Sequence, residues 1–329
     1  MRFGITALLL ALLTLSLSAC ASGQSTARGA NPIAGQSFYV EPHDVAAQQV
    51  SEWREHAMVQ QAAVLEHVAQ QPVAAWFTGQ GNLKEVLLGY EAKAAAAGRS
   101  ALLVAYNIPD RDCGAFSGGG AASSAEYRKW VEQFAAGIGH ARTTVIVEPD
   151  AVAQTLSSCL PASIGRQRYE LLSYAVQALR RRPQTTVYLD AGNPGWVHNL
   201  GQLARAMRRS GIAHAQGFAL NVANFYKVST VTAYGRRLSA LLGGKHFVID
   251  TSRNGNGPDT SKADVPDWCN PPGRAVGPSP TTRTGVPLVD AFLWIKQPGS
   301  SDGSCRPGEP RAGQWWPNYA LELAANAAG

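Results

Sequence analysis

Five times along this 329-residue chain an apolar run rich in β-branched residues leads to an aspartate: Asp112, Asp150, Asp190, Asp250 and Asp302. A carboxylate at the end of a buried strand is costly unless it is hydrogen-bonded, paired or used. If the strands are parallel, these aspartates converge on one rim, the place where parallel α/β enzymes keep their chemistry. The chain shows no metal-ligand or phosphate motif, so an acid-lined rim points to acid/base catalysis by carboxylates, with no metal and no cofactor.

The segments around the acids sharpen this expectation. Glu148-Pro149-Asp150 places two carboxyls at the close of one apolar strand. Burial and like charge both raise a carboxylic pKa, which a general acid working near neutral pH requires. The competing reading of Asp150 is a helix N-cap. Asp112, beside Arg111, is either the charge that tunes the acid or half of a loop salt bridge. Asp302, before Gly303, is a candidate base or water-orienting group, or plain turn chemistry. Trp76, Trp196 and Trp268 sit in the same loops and suit stacking against the apolar faces of sugar rings, a role that Trp294, at the end of the last strand, fits less well. Asp250 reads as a structural residue that holds the glycine-rich loop behind it.

The elements that must position these residues alternate. Strands are expected at Val73–Phe77, Ala101–Asn107, Thr144–Glu148, Thr186–Asp190, Gly217–Asn221, His246–Asp250 and Ala291–Ile295. Amphipathic segments at Gly81–Ala97, Ser123–Gly139, Ile164–Arg181, Asn199–Ser210 and Thr230–Leu242 lie between them. The order predicts one α/β domain with a parallel sheet covered by helices. Seven units fall one short of a (β/α)₈ barrel, and the lack of a dinucleotide fingerprint disfavours a doubly wound sheet. Gly118–Gly120 lacks the lysine of a phosphate loop and reads as a mobile active-site loop. The long aperiodic stretch Asp259–Pro287 reads as functional.

Residues 1–19 carry a positive start, an apolar run too short to span a bilayer, and Leu17-Ser18-Ala19-Cys20, which resembles a bacterial lipobox. Cys20 is the expected lipidation site, 20–37 a tether and 38–329 the catalytic domain. This makes the chain an exported bacterial lipoprotein held at a membrane of the cell envelope or released from it. The net charge of +6 comes largely from arginines on helical stretches. These lack interleaved aromatics and read as solvated faces rather than nucleic-acid contacts. With Cys20 set aside, Cys113, Cys159, Cys269 and Cys305 form an even set, read as two disulfides with three connectivities. Sequence proximity favours Cys113–Cys159 and Cys269–Cys305.

Taken together, the motifs resemble glycoside hydrolase family 6, the cellulases that include bacterial endoglucanases and fungal cellobiohydrolases. The strings that carry the resemblance begin with Tyr106-Asn107-Ile108-Pro109-Asp110-Arg111-Asp112-Cys113, Val147-Glu148-Pro149-Asp150 and Tyr188-Leu189-Asp190-Ala191-Gly192. They continue with Asn221-Val222-Ala223-Asn224-Phe225, the run from Ile249 to Pro258, Trp268 to Arg274, and Asp290 to Lys296. The resemblance runs from about Phe38 to the C-terminus. It implies a distorted, incomplete parallel (β/α) barrel of about seven strands and inverting hydrolysis of β-1,4-glucan. Asp150 matches the general acid, Asp112 the aspartate that raises its pKa, and Asp302 the proposed base. Tyr106 matches a tyrosine pressing on the distorted sugar, Lys296 a lysine on substrate hydroxyls, and Asp190 a further aspartate of the cleft. Asn224 falls in a motif counted with the substrate contacts. The family's disulfides fall on Cys113–Cys159 and Cys269–Cys305.

Two positions depart from the pattern: Ser300 stands where glutamate is common, and Asn193 where histidine is usual. A compact chain without tunnel-forming loops implies an open cleft at the strand C-terminal ends and internal cleavage by a monomer. The alternatives are an exo-acting cellobiohydrolase, a mixed-linkage β-glucanase, or a weakly catalytic glucan-binding lipoprotein.

Overall fold

The computed structural model describes residues 1, 29–79, 81–261 and 266–327, so the apolar run of the expected leader and Cys20 lie outside the described residues. Seven parallel strands follow one another in space in chain order: β1 (Ala75–Phe77), β2 (Ala101–Ala105), β3 (Thr143–Val147), β4 (Thr185–Asp190), β5 (Gly217–Leu220), β6 (His246–Asp250) and β7 (Val289–Leu293). The sheet curls until its first and last members nearly meet. They are joined at one parallel bridge, Val73 to Trp294, through the Ala74 N–H on the Trp294 carbonyl. The result is the distorted, incomplete barrel.

Alternation along the strands builds two cores. Leu102, Val104, Ile146, Tyr188, Ala219, Val248 and Ala291 fill the interior of the barrel. The intervening residues, among them Leu103, Val145, Val187, Phe218 and Phe247, pack outward against helices. Strands buried on both faces read as unbroken apolar runs for this reason. The covering helices are α3 (Leu83–Ala96), α4 (Ser124–Gly137), α6 (Ala162–Arg180), α7 (Leu200–Arg209) and α8 (Val228–Leu241), with α5 (Ala151–Gln154) a single turn after β3. Their starts are written locally: Ser123 accepts from the Glu126 N–H, and Asn199 from the Gln202 N–H.

Three helices were not anticipated: α1 (Val45–Glu55), α2 (Val59–Ala69) and α9 (Pro317–Ala325). They form a third core around the fully buried Trp294, whose indole N–H donates to the Pro278 carbonyl. That core lies beside the join between β1 and β7, so Trp294 is structural. The packed unit starts at Asn31, ahead of the Phe38 start expected. Ile33 is fully buried, and the Asn31 side chain donates to the Asp290 carbonyl, so the last residues assigned to the tether belong to the fold.

Candidate active site

The loops at the strand C-terminal ends enclose a cavity of about 1200 Å³. Asp112, Asp150, Asp302, Tyr106, Trp76, Trp196, Asn224, Trp268 and Lys296 all line it. Asp190 and Asp250 do not; both are fully buried at the ends of β4 and β6.

The backbone that delivers the acids is unusual. Asp110, Asp112, Cys113, Glu148 and Asp150 all have φ between +48° and +69°. Left-handed backbone costs a non-glycine residue energy and gathers where function over-determines the geometry. Asp150 occupies the N-cap position of α5, yet its side chain makes no capping bond. The capping reading therefore fails, and the carboxyl keeps access to the cavity. The turn splits the two acids of its motif. Glu148 points away into the helix layer, where it accepts from the Asn107 and Ile108 N–H groups and the Tyr127 hydroxyl. Burial pushes its pKa up to about 7, against the pull of those hydrogen bonds. Glu148 ties the end of β3 to the end of β2, a role the sequence did not assign.

Asp150 itself is held well above the ordinary aspartate range, first by burial, then by the charges of Asp190 and Asp112. Asp190 is the nearer influence. Its Oδ1 accepts from the Asp150 backbone N–H at 2.8 Å and from that of Gly192 at 3.0 Å, while its buried Oδ2 has no hydrogen-bond partner among the described residues. Burial pushes the pKa of Asp190 up to about 7. An unpaired oxygen so placed makes a second full charge costly. The tuning role was expected of Asp112; in the fold Asp190 stands ahead of it.

Asp112 forms no salt bridge with Arg111. It accepts from the Ser117 N–H and hydroxyl, both at 2.9 Å. The Arg111 guanidinium turns back instead to the carbonyls of Tyr106 and Ser117 and lies over the Tyr106 ring. The Ser117–Gly120 loop, expected to be mobile, is fastened by these bonds and by Arg111 N–H on the Gly119 carbonyl. Gly120 is obligatory there: its φ is +99°, and a Cβ would stand 1.9 Å from the Ile108 carbonyl oxygen.

Asp302 is the opposite of Asp150. The fully buried Arg253 grips both its oxygens at 2.8 and 3.0 Å, Lys296 lies 3.2 Å away, and the Asn270 N–H donates to it. Burial alone would raise its pKa, but the Arg253 and Lys296 charges hold it below the ordinary range. Asp250 accepts from the backbone N–H groups of Ala223, Ser252, Ile295 and Lys296 and so binds three loops together, a structural role.

Among the aromatics, Trp76 meets the Tyr106 ring edge-on at 5.1 Å and donates to the Ile295 carbonyl. Trp196 and Trp268 are exposed to the cavity. Both disulfides are present with the pairing favoured by proximity, Cys113–Cys159 and Cys269–Cys305. Among the described residues, the only group spaced to hold a metal ion is Cys269, Cys305 and Glu309, and its two cysteines are bonded to each other. Residues missed from the sequence include Arg253, Asn270 and Arg168, which are polar groups that grip the loops from behind.

The sequence and the fold have counterparts among known proteins. The sequence profile of glycosyl hydrolases family 6 matches residues 33–327. The chain belongs to glycosyl hydrolases family 6. It is 42% identical over 293 residues to endoglucanase A of Cellulomonas fimi, a match covering 88% of this chain and 61% of that protein. It is 42% identical over 267 residues to endoglucanase 1 of a Streptomyces species, covering 79% of this chain and 71% of that protein. An endoglucanase of Mycobacterium tuberculosis, solved with a thio-linked methyl-cellobiosyl cellobioside, superposes with a TM-score of 0.85 at 41% identity and covers 91% of this chain and 100% of that one. A Chaetomium thermophilum cellobiohydrolase core gives 0.78 at 26% identity, covering 90% of this chain and 98% of that one. The family 6 fold is thus shared across members of both cleavage habits.

Proposed function

We propose that this chain hydrolyses β-1,4-glucosidic bonds of cellulose-type glucans with inversion, cutting internal bonds, and that Asp150 is the general acid. One observation carries the reading: a carboxyl that lines the cavity has its pKa raised by burial and by two neighbouring aspartates, the direction a proton donor requires. In the inverting reaction that proton passes to the leaving glycosidic oxygen while water attacks the anomeric carbon from the opposite face. The glycosidic bond breaks, the water oxygen forms the new bond, and the water's second proton leaves to a base. Asp302, clamped by two cations, is a weak proton acceptor, and its charge serves to orient the water. Asp112 lines the cavity and is in no ion pair among the described residues, and we assign it to receive that proton. Trp76, Trp196, Trp268, Tyr106, Asn224 and Lys296 bind the sugar chain. The relatives named endoglucanases support internal cleavage over exo-action. The full set Asp112, Asp150 and Asp302 favours an enzyme over a glucan-binding lipoprotein.

Anomer-resolved NMR of cellohexaose hydrolysis tests this directly. The new reducing ends should appear first as the α-anomer, with cuts at interior bonds. A β-anomer would sink inversion, and cellobiose as the only early product would sink internal cleavage. From the sequence, we also propose that the leader exports the chain and that Cys20 carries lipid. A mature N-terminus without a lipidated cysteine in the mass spectrum would overturn that.

A further inference from the structure

Among the described phenylalanines, tyrosines and tryptophans, three are exposed, and all three line the one cavity: Trp196 (37%), Trp268 (38%) and Phe116 (49%). Phe116 is the most exposed of them and carries no polar atom to justify contact with water. Single exposed apolar residues are ordinary, but a cluster rimmed by polar groups marks a binding surface.

Its placement is specific. Phe116 stands four residues beyond Asp112, on the loop after β2, immediately before the Ser117 that donates to Asp112. Its ring reaches the chain beyond β7, where it packs on Gly303, the neighbour of Asp302. A Cβ on Gly303 would stand 2.4 Å from the Phe116 ring, so only glycine admits the contact. On its other side the ring meets Trp268 edge-on, with centroids 6.2 Å apart and planes at 62°. Trp268 in turn lies two residues before Asn270, which exchanges backbone and side-chain hydrogen bonds with Asp302. Phe116 therefore joins the loop of one candidate acid to the loops that hold another. The inclined planes leave ring surface of both residues facing the cavity.

Resting on the proposed function, we propose that Phe116 and Trp268 form one composite aromatic wall for a glucosyl unit beside the reacting bond, with Phe116 a substrate-contacting, specificity-determining residue. The apolar face of a β-linked glucosyl ring is the chemical class it fits. A flat apolar wall rewards a sugar that presents axial C–H groups on one face and holds its hydroxyls equatorial, at the ring edge.

The test is Phe116→Ala beside Phe116→Trp, Trp268→Ala and the double variant. Hydrolysis of cellohexaose, calorimetric binding and thermal unfolding are read for each. Phe116→Ala should raise KM and Kd together about three- to tenfold, the scale of one aromatic contact, with kcat within about twofold. Phe116→Trp should recover most of the loss, and the double variant should lose less than the product of the singles because the wall is shared. Unchanged KM and Kd in Phe116→Ala, with wild type active, overturns the inference and leaves the proposed function standing. So does a loss confined to melting temperature and kcat. A wild type that neither binds nor cleaves cellohexaose overturns the proposed function and this wall with it.

Discussion

At the residue scale the site is a study in how one side chain, aspartate, is made to do opposite things. Asp150 is walled in with two like charges, Asp302 is gripped by Arg253 and Lys296, and Asp250 is consumed by four backbone N–H groups. Replacing the proton donor, Asp150→Asn, should cut kcat by about 10²–10⁴ with little change in KM; reducing-end assays on cellohexaose check this, and near wild-type turnover would refute the assignment. The tuning makes its own prediction. Loss of a neighbouring negative charge makes Asp150 easier to ionise, so its pKa falls. The alkaline limb of the pH–rate profile, where Asp150 loses its proton, should therefore move to lower pH in Asp190→Asn and, less far, in Asp112→Asn. A limb that stays in place in both variants rejects the electrostatic account. The positions of these acids were legible because each follows an apolar run. Their electrostatic ranks were not: the bond from the Asp150 N–H to Asp190 joins residues 40 apart in sequence. Arg253 looked like one polar residue among many in its loop.

At the element scale the strands and the five longer covering helices were readable from periodicity, and their edges moved by only a few residues. The strand β1 shrank because Val73 leaves the ladder to bridge Trp294. The unread helices α1, α2 and α9 lie outside the strand–helix alternation, before β1 and after β7, and bury themselves against one another and Trp294 rather than against the sheet. The single turn α5 is too short for any periodicity. What fixes α5 is Arg168 on α6, 1% exposed. Its guanidinium donates to the Gln154 side chain at 2.6 Å and to the Pro109 and Asp110 carbonyls at 2.7 Å each. It thereby sets the turn after Asp150 against the loop of Asp112, the same two segments that Cys113–Cys159 joins. From sequence, an arginine among Arg166, Arg180 and Arg181 reads as solvated. Arg168→Gln leaves buried carbonyls unpaired and should cost about 1–3 kcal/mol of stability, measured by urea unfolding. It should also lower kcat more than it raises KM; a variant as stable and as active as wild type would show that the clamp is idle.

At the scale of the whole molecule, a cleft able to hold a neutral general acid puts the folded state at odds with alkaline pH. Glu148 and Asp190 are fully buried, and burial raises both to about 7, from 4.5 and 3.8. A carboxyl whose pKa is higher in the folded than in the unfolded chain binds its proton more tightly when folded. Its stabilising contribution is fully present below the unfolded pKa and is lost as pH rises through the folded one. Asp302 acts in the other direction: its pKa is lowered, so its contribution is present above 3.8 and is lost only in stronger acid. The window between these effects places maximal stability near pH 4–5, with a decline of a few kcal/mol, in order of magnitude, through pH 8. Calorimetric melting of the unliganded protein from pH 4 to pH 8 should show the transition temperature falling steadily above pH 5. Asp190→Asn should flatten part of that fall, since the asparagine cannot ionise. A melting temperature that climbs from pH 5 to pH 8 would mean that Glu148 and Asp190 are already ionised in the fold, and Asp150 would then lack the surroundings that keep its proton in place.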